Sequence, residues 1–207
     1  HPPMMNVGIP AFGSACSFNF GEDPTGVFNP VGIPAVPHLH GGEVPPVLDG
    51  GPDAWFTSDG GLKGHGYYAN PLVPAAANEA VYSYPNTQGS APLWFHDHTL
   101  GATRLNVYAG LAGGYYLLDP VQEAHFQSIG MRPTTEVIPI VLQDRMFDTN
   151  GQLFFPADSA GGVLAALNPQ HPYWSPEFLG DTIVVNGKAW PYLNVEPRRY
   201  RFRLLNG

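Results

Sequence analysis

Two histidine pairs with the spacing His-x-His constrain this chain more than any other feature. The first is His38-Leu39-His40 in the run PHLHGG, and the second is His96-Asp97-His98 in the run LWFHDHTLG. In a β-strand, residues i and i+2 project from the same face, about 7 Å apart. Each pair therefore directs two imidazoles to one side of a strand. Because the pairs are far apart in the chain, only a fold that brings distant strands together, such as a β-barrel or sandwich, joins them.

These pairs predict a metal site. Imidazole nitrogen suits copper, zinc, iron and nickel, and two such strands side by side would form a cradle of four imidazoles. The alternative is a set of structural histidines satisfied by hydrogen bonds, which is the better interpretation of one isolated histidine. Two pairs, each beside glycine and aromatic residues, favour metal binding. The remaining histidines have no partner at ligand spacing and are expected at the surface or in loops: His1, His65, His125 and His171.

The composition favours a protein rich in β-structure and turns. Of 207 residues, 25 are glycine and 23 are proline, without a repeat period and among runs of Val, Tyr, Phe and Trp. We therefore expect an all-β fold. A net charge of −8, with nine Lys and Arg, offers no basic face for nucleic acid, and no apolar run reaches the length of a membrane span.

The basic residues cluster late in the chain, and there is one cysteine. We expect these residues to be outward-facing cations on an ordinary strand, and the alternative is a polyanion site. They are Arg198, Arg199, Arg201 and Arg203. A single cysteine excludes an internal disulfide. Cys16 is expected to be a buried, inert thiol, with a bridge to another chain as the alternative, because its neighbours GSACSFNF give no support for chemistry.

Periodicity and turn signals locate the regular elements. Apolar alternation predicts strands over 80–86, 91–98, 113–120, 136–147 and the final run YRFRLLN. The sequence IVV-NG-KAW predicts a hairpin, because a type I′ turn needs positive φ at both central residues. A short helix is expected within 99–113.

Longer runs around the histidine pairs resemble a known family. PHLHGG, followed downstream by LWFHDHTLGATRLNVYAGLAGGYYLLDP, resembles the multicopper oxidases, and NGKAWPYLNVEPRRYRFR resembles their spore-coat laccase and bilirubin oxidase branch. The resemblance runs from about residue 36 to 207. It implies cupredoxin-like Greek-key β-sandwich or barrel domains. These would be a first domain over 1–119, whose opening strands are not found, a connector over 120–135 and an incomplete second domain over 136–207.

The same resemblance implies a trinuclear copper cluster. Carried onto this sequence, its motifs give a type 2 copper ligand, His38, and three type 3 copper ligands, His40, His96 and His98. It also gives Asp49 a catalytic role in protonating bound oxygen, with a turn-forming aspartate before Gly50-Gly51 as the alternative. Asp97 points to the opposite strand face and is expected to support the ligands or the fold.

The resemblance further implies a laccase-like oxidase that takes electrons from phenols or related aromatic donors and reduces O2 to water. This chain would supply half of the trinuclear ligands and no type 1 copper, because Cys16 lies far from the motif that the type 1 site needs. We expect a second polypeptide, or the remainder of a longer chain, to carry the third domain. We expect no nucleic acid or membrane as partner. Oxidases of this kind usually work outside the cytoplasm.

Two functions of other classes compete with this interpretation. A non-catalytic copper-binding β module would use the same histidines without turnover. A zinc hydrolase is less well supported, because HLHGGEV lacks the later Asp-His pair that such enzymes use for a second zinc. Metal analysis would separate zinc from copper, and oxygen uptake would separate the module from the oxidase.

Overall fold

The computed structural model describes residues 32–132, 137–154 and 178–207. In chain order, the strands of these residues are β1 Pro34–Ala35, β2 Pro37–His40, β3 Phe56–Thr57, β4 Pro92–Asp97, β5 Ala112–Tyr116, β6 Ile138–Arg145, β7 Thr182–Val185, β8 Lys188–Ala189 and β9 Phe202–Asn206. The helices are α1 Thr103–Tyr108 and α2 Pro120–Ser128, with a 3-10 turn at Pro46–Leu48. The described part is mostly β, and none of its helices is long and apolar enough to cross a membrane.

The strands form three sheets within the described residues. β1 and β3 pair as a two-stranded sheet, and a three-stranded antiparallel sheet has the order β2-β4-β5. The third sheet has the order β8-β7-β6-β9, in which β9 runs parallel to β6 and the other pairs are antiparallel. His38, His40 and His96 belong to the β2-β4-β5 sheet, and His98 directly follows the last residue of β4.

Most of the predicted elements are confirmed. Strands occur within 91–98, 113–120 and 136–147, although β5 begins one residue early, and α1 lies within 99–113. The predicted hairpin joins β7 and β8, with φ of 50° at Asn186 and 79° at Gly187. The final run forms β9.

The predicted strand over 80–86 is wrong, because these residues are in no strand or helix. Side-chain hydrogen bonds occupy main-chain groups that would otherwise pair in a sheet. The amide of Asn70 donates to the carbonyl oxygen of Val81 at 3.1 Å. The rings of Tyr82 and Tyr84 stack on each other at 6.1 Å between centroids. The alternation therefore reflects a row of tyrosines rather than sheet pairing.

The register of β2 against β4 sets the face on which the histidines lie. His38 lies opposite His96, and His40 lies opposite Trp94. Leu39, on the other face of β2, is 2% exposed and belongs to the core. The main-chain N–H of His98 donates to Val36 at 2.9 Å, which continues the pairing beyond the end of β4. Burial of Leu39 on the opposite face thus helps to direct the histidines to one side of the sheet.

Asp97 fixes the end of β4 and is 3% exposed. Its Oδ1 accepts hydrogen bonds from the Val36 N–H at 2.8 Å and the Thr99 hydroxyl at 2.9 Å. Its Oδ2 accepts from the Thr99 N–H at 3.1 Å. The carboxylate therefore ties β4 to the residue that precedes β2, which agrees with a supporting role behind the histidines.

α2 packs against β9, and this contact corrects one prediction. Arg201 and Arg203 are not outward-facing cations, because each places a guanidinium nitrogen 4.0 Å from Oε1 of Glu123 on α2. Their side chains are 22% and 13% exposed. Arg198 and Arg199, which precede β9, are exposed as predicted. The helix places a carboxylate over one face of β9, which the strand pattern alone does not predict.

Tyr108, the last residue of α1, connects the two halves of the described chain. Its hydroxyl accepts a hydrogen bond from the Met146 N–H at 2.9 Å and donates to the Phe154 carbonyl oxygen at 2.6 Å. Arg145 donates to the Val107 carbonyl oxygen at 3.1 Å. Burial raises the pKa of Tyr108 and lowers the pKa of Arg145. These contacts join the end of β6 to α1 beside the histidine-bearing sheet.

Candidate metal centre

Four imidazoles converge on one face of the paired strands β2 and β4. The ligand nitrogens of His38, His40 and His96 all lie within 4.8 Å of one another. The ring of His98 lies 4.8 Å from the ring of His38 and 5.8 Å from that of His96, between centroids. The convergence that the spacing predicts is therefore present in the fold.

Main-chain carbonyl groups fix the orientation of two of these rings. Nδ1 of His38 lies 2.6 Å from the carbonyl oxygen of Asp49, and Nδ1 of His96 lies 2.6 Å from the carbonyl oxygen of Asp97. A carbonyl oxygen only accepts, so in each ring Nδ1 carries the proton. In the neutral imidazole, Nε2 then has the free lone pair, which is the form that binds a metal.

His40 faces His96 directly. Nδ1 of His40 lies 3.2 Å from Nε2 of His96, so both nitrogens can reach one ion at the usual metal–imidazole distance of about 2 Å. The pKa of His96 is lowered, mainly by burial and further by the neighbouring histidines, against the opposing effect of its hydrogen bond to Asp97. His96 is therefore neutral near pH 7 and available as a ligand.

His98 adds a further sign that these residues fit a metal. Its Nδ1 is buried and has no hydrogen-bond partner among the described residues. Buried polar atoms in native structures nearly always have partners, so a set of purely structural histidines would leave this ring unexplained. The orphaned nitrogen and the directed lone pairs of His38 and His96 together fit a metal site.

Trp94 contacts His40, and Gln88 binds the loop that follows it. Trp94 stacks on His40 at 5.0 Å between centroids and lies 4.4 Å from the ring of His96. Gln88 accepts a hydrogen bond from the Glu43 N–H at 2.6 Å and donates to the Gly41 carbonyl oxygen at 3.0 Å. Gln88 thus holds the loop that follows β2. The sequence around Gln88 gives no indication of this role. The position of Trp94, two residues before His96 in the sequence, indicates that it lies near the site.

Asp49 lies against the cluster at the end of the Pro46–Leu48 turn. Its carboxylate oxygen Oδ1 is 3.5 Å from Nδ1 of His38, and its side chain is 51% exposed. Besides its carbonyl oxygen, Asp49 therefore also has its carboxylate near a candidate ligand, and this carboxylate is accessible to solvent. Asp49 thus lies beside the histidine cluster and also ends a turn.

The other candidate residues lie elsewhere. His65 and His125 are exposed and outside the group of metal-capable side chains that the described residues contain, as predicted. Cys16, His1 and His171 lie outside the described residues.

Comparison with known proteins gives close relatives of greater length. No protein-family model matches the chain. A laccase of Bacillus stratosphericus is 44% identical over 174 residues, which are 84% of this chain and 31% of that protein. Multicopper oxidase LPR1 homolog 1 of Oryza sativa subsp. japonica is 41% identical over 184 residues, 88% of this chain and 28% of that protein. The chain thus spans about a third of the length of these relatives.

A solved structure agrees with these relatives. The crystal structure of McoA multicopper oxidase from the hyperthermophile Aquifex aeolicus superposes with a TM-score of 0.57 at 30% identity, over 84% of this chain and 31% of that one. Its mostly β fold is shared with the described part of this chain. These relatives and the convergent histidines show that the chain belongs to the multicopper oxidase and laccase family.

Proposed function

We propose that this chain is the part of a laccase-like multicopper oxidase that supplies half of the ligands of a trinuclear copper cluster. The convergence of His38, His40 and His96 within 4.8 Å carries the proposal. Bound copper would supply the one-electron chemistry that the reduction of O2 to water requires, and imidazole suits copper as a ligand. The relatives named laccases support phenolic or related aromatic compounds as electron donors.

Each histidine has an individual role in this proposal. His38 would bind the type 2 copper, and the type 3 coppers would be bound by His40, His96 and His98. The 3.2 Å distance between His40 Nδ1 and His96 Nε2 supports a shared ion for these two residues. His38 is oriented by a separate loop, which suits a ligand to a different ion. The type 1 copper and the remaining ligands would come from another part of the oxidase.

Asp49 would deliver protons to the oxygen that is being reduced. Its carboxylate is half exposed and lies 3.5 Å from Nδ1 of His38, so Oδ1 can exchange protons with solvent beside the site. Positioned acid–base groups typically accelerate proton transfer by about 100-fold or more. In the complete oxidase, Asp49→Asn should therefore retain copper and lower kcat by at least about 10-fold. Full activity in this variant would reject the proton role and leave the ligand assignment intact.

The domain organisation is part of the same proposal. Residues 1–119 would belong to a first cupredoxin-like Greek-key domain, and 136–207 would begin a second, with 120–135 as connector. In support, the β2-β4-β5 sheet falls within the first range and the β8-β7-β6-β9 sheet within the second. α2 fills most of the range between them.

Copper binding by the 207-residue chain tests the ligand assignment. After loading and gel filtration, metal analysis should find at least one copper per chain in the wild type and a large loss in His96→Ala. His65→Ala is the matched control, because its imidazole is exposed and outside the cluster. Retention of zinc in place of copper, or the same copper content in His96→Ala and in His65→Ala, would reject the assignment.

Oxygen uptake tests the catalytic part of the proposal. The complete oxidase should consume O2 with a phenolic donor, and His98→Ala should abolish the uptake by removing a type 3 ligand. Copper binding without uptake in the complete wild-type protein would instead support a non-catalytic copper-binding β module.

A further inference from the structure

A short loop orients one ring of the histidine cluster through its main chain. The turn Pro46–Leu48 ends at Asp49, whose carbonyl oxygen accepts the hydrogen bond from Nδ1 of His38 at 2.6 Å. The carboxylate of Asp49 is farther from the same nitrogen, at 3.5 Å, and is half exposed. The shorter contact therefore comes from a group that every amino acid at position 49 would offer.

Gly50 keeps this loop against β2. It is buried and has a φ of 72°, a backbone conformation that favours glycine. A Cβ added to Gly50 would lie 2.0 Å from the carbonyl oxygen of Pro37 and 3.2 Å from Cα of His38. Both neighbours are main-chain atoms of β2, so neither can rotate away. Any larger residue would push the loop, and with it the Asp49 carbonyl group, off His38.

We propose that Gly50 is a positioning residue for His38. Its close approach to β2 lets the Asp49 carbonyl oxygen hold the proton on Nδ1 and direct the lone pair of Nε2 into the histidine cluster. Hydrogen bonds of this kind fix the tautomer and the ring orientation of ligating histidines. The inference rests on the proposed copper site for its purpose, but the tautomer of His38 can be measured without any metal.

The inference divides the work of Asp49 between two groups. The carbonyl oxygen positions His38, and the carboxylate remains free for the proton transfer proposed above. Removal of the carboxylate should therefore leave the tautomer of His38 unchanged, whereas a shift of the loop should change it. This contrast separates positioning by the main chain from positioning by the charged side chain.

Nuclear magnetic resonance of the metal-free chain tests the proposal. Long-range proton–nitrogen spectra of the imidazoles, recorded at a pH where the rings are neutral, report which nitrogen carries the proton. We expect the proton on Nδ1 of His38 in the wild type and in Asp49→Ala, and a substantial Nε2-protonated fraction in Gly50→Ala. Gly51→Ala is the matched control, because its added Cβ would meet only Asp53, at 3.4 Å, and should leave His38 unchanged.

The same spectra show whether Gly50→Ala folds. His96 is held by the carbonyl oxygen of Asp97, so an unchanged His96 signal identifies a folded variant. If Gly50→Ala does not fold, the wild type and Asp49→Ala still test whether the Asp49 carbonyl oxygen holds the proton on Nδ1 of His38. A proton on Nε2 of His38 in the wild type would overturn the proposal, and so would loss of the Nδ1 proton in Asp49→Ala.

Copper affinity provides a second readout. Loss of a hydrogen bond that orients a ligand typically weakens metal binding by about 10- to 100-fold. Gly50→Ala should show this loss, whereas Gly51→Ala should bind copper as the wild type does. Equal weakening in the two variants would overturn the proposal. A wild-type chain that binds no copper, but shows the expected tautomers, would count against the proposed function and leave the role of Gly50 supported.

Discussion

Replacement of Asp97 by alanine should strongly destabilise the chain. This carboxylate is 3% exposed and accepts three hydrogen bonds, from the Val36 N–H, the Thr99 N–H and the Thr99 hydroxyl. Both donor residues are fully buried. The alanine variant would leave two main-chain N–H groups without an acceptor, at the point where β4 meets the residue before β2.

The size of the effect follows from these unpaired donors. A buried donor that loses its acceptor costs about 1–3 kcal/mol, so two give about 2–6 kcal/mol, while the Thr99 hydroxyl can rotate and adds little. We expect a loss of about 4 kcal/mol in the free energy of unfolding. Folded domains typically have about 5–15 kcal/mol in total. Asp97→Asn retains Oδ1 but places an N–H against the Thr99 N–H, so it should lose about 1–3 kcal/mol.

Urea denaturation of the metal-free chain, followed by circular dichroism, measures these losses. Asp53→Ala is a suitable control, because Asp53 is exposed and such surface changes usually stay within about 0.5 kcal/mol. A loss below about 1 kcal/mol for Asp97→Ala would refute the reasoning. Equal losses for Asp97→Ala and Asp97→Asn would show that the number of satisfied donors is not what matters.

Three further predictions concern other parts of the chain. The pKa of Asp59 is lowered from 3.8 to about 2, mainly by a hydrogen bond from the Thr57 hydroxyl. A lowered pKa stabilises the fold above about pH 4, and this contribution disappears as the pH falls through about 2. The Tm difference between the wild type and Asp59→Asn should therefore shrink across that interval, and a constant difference would contradict this. Tyr108→Phe leaves the Met146 N–H without its acceptor and should cost about 1–3 kcal/mol; unchanged amide exchange at Met146 would argue against the link. Trp94 touches two candidate ligands, so copper should quench its fluorescence, and undiminished quenching in Trp94→Phe would disprove that assignment.

The sequence predicts the central pairing well because the relevant signals are local. The His-x-His spacing sets the face of each strand, and the burial of Leu39 on the opposite face sets the register. The Asn186-Gly187 turn is likewise a local signal, since both positions need positive φ. These features locate the three-stranded sheet and one hairpin.

Features that depend on distant contacts are harder to predict. The run 80–86 alternates as a strand does, yet distant side chains such as Asn70 bind its main chain. The pair Asp119-Pro120 ends the run that contains β5, but it also begins α2, where the Asp119 side chain caps the Val121 N–H at 2.8 Å. Arg201 lies inward because α2 brings Glu123 to it.

The same distinction applies to the site. Histidine carries a chemical signature, so the candidate ligands can be read from the chain. A main-chain carbonyl group carries none, so the contact between Asp49 and His38 becomes visible only in the folded structure. The amide of Gln88, which holds the Gly41 carbonyl oxygen from a distant segment, is missed for the same reason.

X-ray absorption of the chain loaded with Cu(I) tests the central claim most directly, because it counts the imidazoles around each copper. At one Cu(I) per chain we predict at least two imidazole nitrogens per copper, a reduced number in His40→Ala and an unchanged number in His65→Ala. Fewer than two imidazoles in the wild type, or the same number in the wild type and in His40→Ala, would mean that β2 and β4 do not share an ion, which would contradict this account.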